Sequence, residues 1–341
     1  MSFVLGVDGG ASKTIALLAT SDGEIVGSSR RAGSSIYEGD PGEMLANAVD
    51  ACRDAMVMAG ISEVEIAASV FSMAGADWPE DFALIQSELR DKGLGRRITV
   101  VNDAVGGLRT GSSTGPAVAV ICGTGAGTAA RNAEGQIWHS SFWQGGGGAV
   151  DLTNEALRAV YRAESGIDSP TMLTSAVLAF TGFDHVEPLL HHLTARGGVP
   201  SSRYAGLARV LLDIASAGDP KAREIVASFG ALLGEDAVTA SRQVDIDQMS
   251  FELVLGGSVF KHPEPLLADS LVTRVREHCP AFTLIRNPFE PVVGALLLAF
   301  DEAEKGPGSG IAAAVEASWR HHRDSVLAIP DTSGDSVATG A

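Results

Sequence analysis

Apolar and polar positions fall into two regimes along this chain. Short apolar runs, partly β-branched, at residues 3–7 and 15–19 predict two strands joined by a tight turn. A second turn at Ser21-Asp22-Gly23-Glu24 leads into a third strand at 25–29. Asp40-Pro41-Gly42-Glu43 then reads as a helix start, with Asp as N-cap, Pro at the first helical position and Glu closing a capping box; the helix runs to about residue 59 and stops at Gly60. Strand 66–71, helix 79–91, strand 98–101 and a short helix complete one α/β domain.

After the turn-rich joint Gly111-Ser112-Ser113-Thr114-Gly115 the pattern restarts: strand 117–121, a glycine turn, a strand from Thr128, then Asn132-Ala133-Glu134-Gly135 and a strand at 136–139. Glu134-Gly135-Gln136-Ile137 echoes Asp22-Gly23-Glu24-Ile25, so the meander is an internal duplication. The second half then turns helical, with helical spacing at 151–164, 171–179, 185–195, 204–216 and 220–243. Strand 251–255, helix 264–277, strand 282–285 and helix 291–304 follow. Residues 306–310 predict a flexible break, 311–327 a further helix and the end from Pro330 a frayed tail. The expected domains are 1–115, joined by helix 291–304; 116–290; and a tail, 305–341.

Composition narrows the function. Charged residues make up 20% and hydrophobic residues 45% of 341 residues, as in a folded globular protein. A net charge of −17 argues against a nucleic-acid partner. Cys52, Cys122 and Cys279 are scattered, which disfavours disulfide frameworks, zinc ribbons and iron–sulfur sites. No signal peptide or membrane span is expected, and the cytoplasm is the default location.

Chemistry concentrates at the two glycine turns. Gly9, Gly10, Ser12, Lys13 and Thr14 in the first, and Gly123, Thr124 and Gly125 in the second, suit backbone cradles for phosphate. Asp8, closing the first strand, suits a hydrated Mg²⁺; a hairpin with ordinary turn residues is the plainer alternative. Ala11-Ser12-Lys13-Thr14 lacks the glycine of a Walker A loop, and Gly123-Thr124-Gly125-Ala126-Gly127 opens a strand rather than the helix of a dinucleotide fingerprint.

These turns, with Ala74-Gly75-Ala76-Asp77, Val101-Asn102-Asp103-Ala104, Leu255-Gly256-Gly257-Ser258-Val259-Phe260 and Pro291-Val292-Val293-Gly294-Ala295-Leu296, resemble the sugar kinase/Hsp70/actin superfamily over about residues 3–304. The branch most resembled is the BadF/BadG/BcrA/BcrD ATPase family with its N-acetylglucosamine kinases. The resemblance implies two actin-like (ribonuclease H-like) α/β domains, the second enriched in helix, hinged around a cleft that holds ATP and Mg²⁺. It implies phosphoryl transfer to a sugar hydroxyl, with an amino sugar or related hexose as substrate. It gives Asp103 the role of general base, Asp8 that of metal ligand through water, and Gly256, Gly257 and Ser258 that of adenosine contacts. Ser34, Ser35, Asn102, Asp103, Thr124, Trp143 and Gly145 are the implied substrate contacts, and a homodimer is expected. From the residues alone, Asp103 reads first as a helix N-cap, and Trp143 equally as a core residue.

Two departures leave the sugar open. The family's Gly-Asp-Glu-Gly-Ser stretch, whose Asp binds sugar, is replaced by Gly145-Gly146-Gly147-Gly148-Ala149, and its sugar-binding Asn by Ile36 or Tyr37. The glycine run reads either as room for a bulkier substrate or as a mobile loop. Two other functions stay in view: an ATPase that activates a partner enzyme, and a sugar or nucleotide sensor without turnover.

Overall fold

The computed structural model describes residues 2–62, 65–112, 114–286, 289–303 and 309–328. These fall into two compact units, one from the described parts of Met1–Ser113 and Phe289–Ala341, the other from those of Thr114–Pro288. The break expected at 306–308 and the tail from Pro330 lie outside the described residues, as does Glu304 at the end of the expected helix.

In the first unit, β1 (Phe3–Gly9), β2 (Lys13–Thr20) and β3 (Ile25–Ala32) form an antiparallel meander, and β4 (Ile66–Met73) and β5 (Arg97–Asn102) add in parallel on the other side of β1, giving the order β3-β2-β1-β4-β5. The second unit repeats this strand for strand. Its β6 (Ala117–Cys122), β7 (Ala126–Arg131) and β8 (Ile137–His139) form the meander, and β9 (Phe251–Gly256) and β10 (Phe282–Arg286) lie parallel to β6, in the order β10-β9-β6-β7-β8. The expected duplicated β-meander is present.

Helices in the first unit coat both sheet faces. Residues alternate along a strand, so Leu5 and Val7 pack on α1 (Pro41–Ala59) and α2 (Pro79–Arg90), whereas Val4 faces α10 (Pro291–Glu302) and α11 (Ser309–Leu327). The start and stop signals of α1 act as read: the Asp40 carboxylate accepts from the N–H groups of Gly42 and Glu43, and Gly60 closes the helix at φ 66°. Ser309 and Gly310, expected in a flexible break, instead open α11. That helix is fixed by fully buried Trp319, by Ser318 Oγ accepting from the Ile25 N–H (2.9 Å) and by Arg30, which donates to the Leu327 carbonyl (3.0 Å).

The second unit is helix-rich in one place. Where a single helix joins β3 to β4, five join β8 to β9: α4 (Ala149–Glu164), α5 (Met172–Thr181), α6 (Val186–Thr194), α7 (Leu207–Ser216) and α8 (Pro220–Gln243). With α9 (Leu266–His278) they enclose one large apolar core against β6 and β9.

Glycine lets backbone meet backbone in the first unit. A Cβ at Gly6 of β1 would overlap the Leu296 backbone of α10. One at Gly294 of α10 would overlap the Gly106 carbonyl in α3 (Asp103–Gly111). Gly294→Ala therefore forces these elements apart, at a cost of about 1–3 kcal/mol. Thermal unfolding should show a melting point several degrees lower, against little change for Gly115→Ala, where the new methyl meets open space.

Candidate functional site

The parallel strands β1, β4 and β5 end together. Asp8 pairs with Ser72 and Ser72 with Val101; one residue on, Gly9 pairs with Met73 and Met73 with Asn102. Such strand ends are where α/β sheets expose chemistry. Val4, Gly6 and Asp8 share a face of β1, so Asp8 lies on the side covered by α10.

Asn102, rather than Asp103, caps α3. Its Oδ1 accepts from the Ala104 N–H (3.0 Å), while its Nδ2 donates to Asp77 Oδ1 (3.0 Å) and the Ala76 carbonyl (3.2 Å). Both ends of the Asn102 amide are therefore engaged, tying the start of α3 to Asp77. The cap reading of Asp103 falls away, because its neighbour does that work and leaves the Asp103 carboxylate in the first helical position.

Burial pushes Asp103 up to about 6, helped by the negative charge of Asp77 and opposed by backbone hydrogen bonds at the helix start, although one edge of the residue stays partly exposed. Burial pushes Asp8 further, to about 7; Lys13 opposes the rise, and the carboxylates of Asp103 and Glu290 add to it. Glu290, the N-cap residue of α10, is buried, and nothing in the sequence pattern marked it. Asp77 likewise belonged to a quoted motif without being chosen. The signal available was the place of Glu290 directly before a Pro-started helix and of Asp77 in the loop that joins a strand to one.

The first glycine turn is closed by Gly10 N–H donating to the Lys13 carbonyl (2.9 Å) and tied to the next loop by Ser34 N–H donating to Gly10 (3.0 Å). Thr14 and Ser34 are fully buried; the Thr14 hydroxyl donates to the Ala32 carbonyl and shares a hydrogen bond with the Ser34 hydroxyl, both at 2.8 Å. These two residues brace the turn from inside. Ser35 is also buried, while Ser12 is exposed and Lys13 faces Asp8. Tyr37 and Trp78 sit on adjoining loops, at 52% and 39% exposure, and both reach Asp81: Tyr37 OH donates to Oδ2 (3.0 Å), as does the Trp78 N–H (2.8 Å).

In the second unit the turn at Gly123, Thr124 and Gly125 is open on one side, since a Cβ at Gly125 would touch nothing. On the other side it docks on the start of α4: the Ala149 N–H donates to Gly123 and the Val150 N–H to Thr124. The four-glycine run is held in place. Cys122 Sγ donates to the Gly147 carbonyl (3.1 Å), and the Asp151 carboxylate accepts from the N–H groups of Gly147 (2.9 Å) and Gly148 (3.2 Å). Gly146 and Gly147 adopt φ 119° and 133°, which favour glycine. Gly145 is exposed and Trp143 is 76% exposed, which removes the core reading of Trp143.

Gly257 packs on the Cys122 backbone, so the end of β9 lies against the second turn. Beyond it Ser258 lines a cavity of about 330 Å³, with Ala149, Ala208, Arg209, Leu212 and Lys261. Mostly small and apolar walls with two cationic side chains suit a nucleoside. Arg209, Leu212 and Lys261 come from sequence-distant elements, and no turn motif announced them.

Among the described residues, no group of three or more metal-ligating side chains forms a direct ion cage. One buried carboxylate beside a phosphate-type turn fits Mg²⁺ held through water.

The BadF/BadG/BcrA/BcrD ATPase family model matches residues 5–299. An N-acetylmuramic acid/N-acetylglucosamine kinase of Clostridium acetobutylicum is 25% identical over 89% of this chain and all of its own length. An N-acetyl-D-glucosamine kinase of Dictyostelium discoideum is 24% identical over 87% of this chain and 97% of its own. The crystal structure of a Chromobacterium violaceum protein, provisionally assigned as an N-acetylglucosamine kinase, superposes with a TM-score of 0.67 at 23% identity, covering 88% of this chain and 99% of that one.

The raised Asp8 value makes a stability prediction. A carboxyl whose folded value exceeds its unfolded one stabilises the fold fully only below the unfolded value, near 3.8, and that stability is lost as pH rises through about 7. Asp8→Asn removes the loss. Without ligands, the variant should melt above the wild type at pH 8, by an amount on the order of 2–4 kcal/mol, and the two curves should converge near pH 4.

Proposed function

The chain belongs to the BadF/BadG/BcrA/BcrD ATPase family, and from that premise we propose that it is an ATP-dependent carbohydrate kinase acting on an amino sugar or a related hexose. The observation that carries this reading is the Asp103 carboxylate, released from capping by Asn102 and raised by burial and Asp77 at the end of three parallel strands.

Above about pH 6 Asp103 is ionised, accepts a hydrogen bond from the substrate hydroxyl and takes its proton as the oxygen attacks the γ-phosphoryl group. Asp77 keeps Asp103 basic. The turns at Gly9, Gly10, Ser12 and Lys13 and at Gly123, Thr124 and Gly125 are each a candidate phosphate cradle through the N–H groups left over once Gly10 donates to the Lys13 carbonyl and Gly123 to the Gly125 carbonyl. Ser258 lines the cavity suited to adenosine, with Arg209 and Lys261 as polar contacts, and Gly256 and Gly257 lead into it from the end of β9. Asp8 binds Mg²⁺ through water; the ion, when bound, offsets charge on the transferring phosphoryl group. Tyr37, Trp78 and Trp143 offer exposed aromatic faces to a sugar ring. Action in the cytoplasm belongs to the same proposal. So does a homodimer, supported by exposed Met172, Phe180 and Leu190 on α5 and α6.

The test is an ADP-release screen over hexoses, hexosamines, N-acetylated sugars and muramic derivatives. A sugar should stimulate release, and Asp103→Asn should lower kcat by about 10²–10⁴-fold. The acid limb of the kcat–pH profile should fall near 6, and Asp77→Asn, by removing a nearby negative charge, should move it to lower pH. ATP turnover that needs no sugar would point to an ATPase acting on a partner, and sugar binding without turnover to a sensor.

A further inference from the structure

The cavity beyond β9 takes part of its wall from α7, with Arg209 and Leu212, and part from the segment after Ser258, with Lys261 and His262. Arg209 and Asp213 stand four residues apart on α7, a spacing that brings two side chains together on one face and makes an ion pair the ordinary expectation. That pair does not form. Asp213 Oδ1 instead accepts a hydrogen bond from His262 Nε2 (3.0 Å), and the Arg209 guanidinium has no hydrogen-bond or ion-pair partner among the described residues.

The other ring nitrogen sets the direction of the His262 bond. Nδ1 accepts from the Glu264 N–H (3.1 Å), which can only donate, so Nδ1 carries no hydrogen and Nε2 does. Glu264 Oε1 in turn accepts from the Leu266 N–H at the start of α9 (3.1 Å). The imidazole is 8% exposed, against 58% for the Asp213 side chain. His262 is therefore a fixed post in the cavity wall, and it draws the more mobile carboxylate away from Arg209.

The released cation lines a cavity of nucleoside size. Phosphate has its own candidate place in the backbone turn at Gly123, Thr124 and Gly125, to which Ala149, another wall residue, is hydrogen-bonded. The wall residues beside Arg209 on α7, Ala208 and Leu212, are apolar. A planar guanidinium on such a wall suits the face of a flat aromatic heterocycle, which it holds by stacking and cation–π attraction.

We propose that Arg209 lies against the face of the donor's nucleobase, and that His262, by holding Asp213, is the positioning residue that keeps Arg209 available for it. The assignment rests on the kinase reading and on the nucleoside reading of this cavity. It makes the preferred donor a purine nucleotide, because the larger ring system offers more surface to stack on.

Binding of adenosine, ADP and CDP to the full-length protein, followed by calorimetry without sugar, tests this apart from turnover. Arg209→Ala should weaken adenosine and ADP by the same factor, about five- to thirtyfold, and shrink the preference for ADP over CDP. A loss for ADP with adenosine unchanged would put Arg209 on a phosphate and overturn the assignment, as would affinity for both within twofold of wild type. His262→Ala should weaken adenosine as well, because Asp213 then turns to Arg209, and adding Asp213→Ala should recover most of that loss. A His262 that only supports the wall gives no recovery, and that result would refute its positioning role. If His262→Ala does not fold, His262→Phe, which fills the space without either nitrogen, takes its place in both comparisons. Adenosine bound through Arg209 with no sugar-stimulated ADP release would sink the kinase reading alone.

Discussion

The first unit depends on backbone approaching backbone. Helix α10 lies directly on β1 at Gly6 and directly on α3 at Gly106 and Gly294, with no side chain between. Only glycine permits such distances. The consequence is chemical as well as mechanical. Two helix N-termini are drawn to the end of one strand, and each brings an acid to a place where Asp8 already sits. Helix N-termini favour negative charge, which partly offsets the repulsion of grouped carboxylates. Without the glycine seams, the helices would stand off by a side-chain thickness and the acids would separate.

Duplication supplied two copies of the sheet, and the copies have divided the chemistry. The first carries the buried acids. The second has Cys122 leading into its glycine turn and carries the cavity beyond β9. The strongly raised carboxylates at strand ends lie in the first unit, whereas the charged groups beside the second unit's turn and cavity are Asp151, Arg209 and Lys261. The cavity beyond β9 combines small and apolar walls with the cationic side chains of Arg209 and Lys261.

The four-glycine run shows how a departure from a family pattern is absorbed. Losing two acids from a loop removes hydrogen-bond acceptors. Here Asp151, in the first turn of α4, accepts from two N–H groups of the run, and Cys122 donates to one of its carbonyls. The glycines are needed because two of them adopt angles that other residues avoid. A sequence of four glycines looks like slack, but the hydrogen bonds that remove the slack come from residues on either side of it.

Local information settled most elements. Apolar runs, the Asp40 cap, the Gly60 stop and the repeated meander turns are decided by residues within a few positions of each other, which is why 220–243 was readable as a helix to the residue. The family motifs marked Asp8, at a strand end beside a glycine turn, and Asp103, where a strand passes directly into a helix. What the sequence left open depended on partners far away in the chain. Whether Asn102 or Asp103 caps α3 turned on Asp77, 25 residues upstream of Asn102. That the Thr14 and Ser34 hydroxyls meet in the interior was not visible from positions 20 residues apart. Glu290 joined the site only once α10 had folded back on β1, and Arg209 and Lys261 met only once α7 had packed beside the end of β9. Periodicity and capping act over a turn or two of chain. Burial, charge coupling and cavity shape are set by what packs opposite, and only the folded chain decides that.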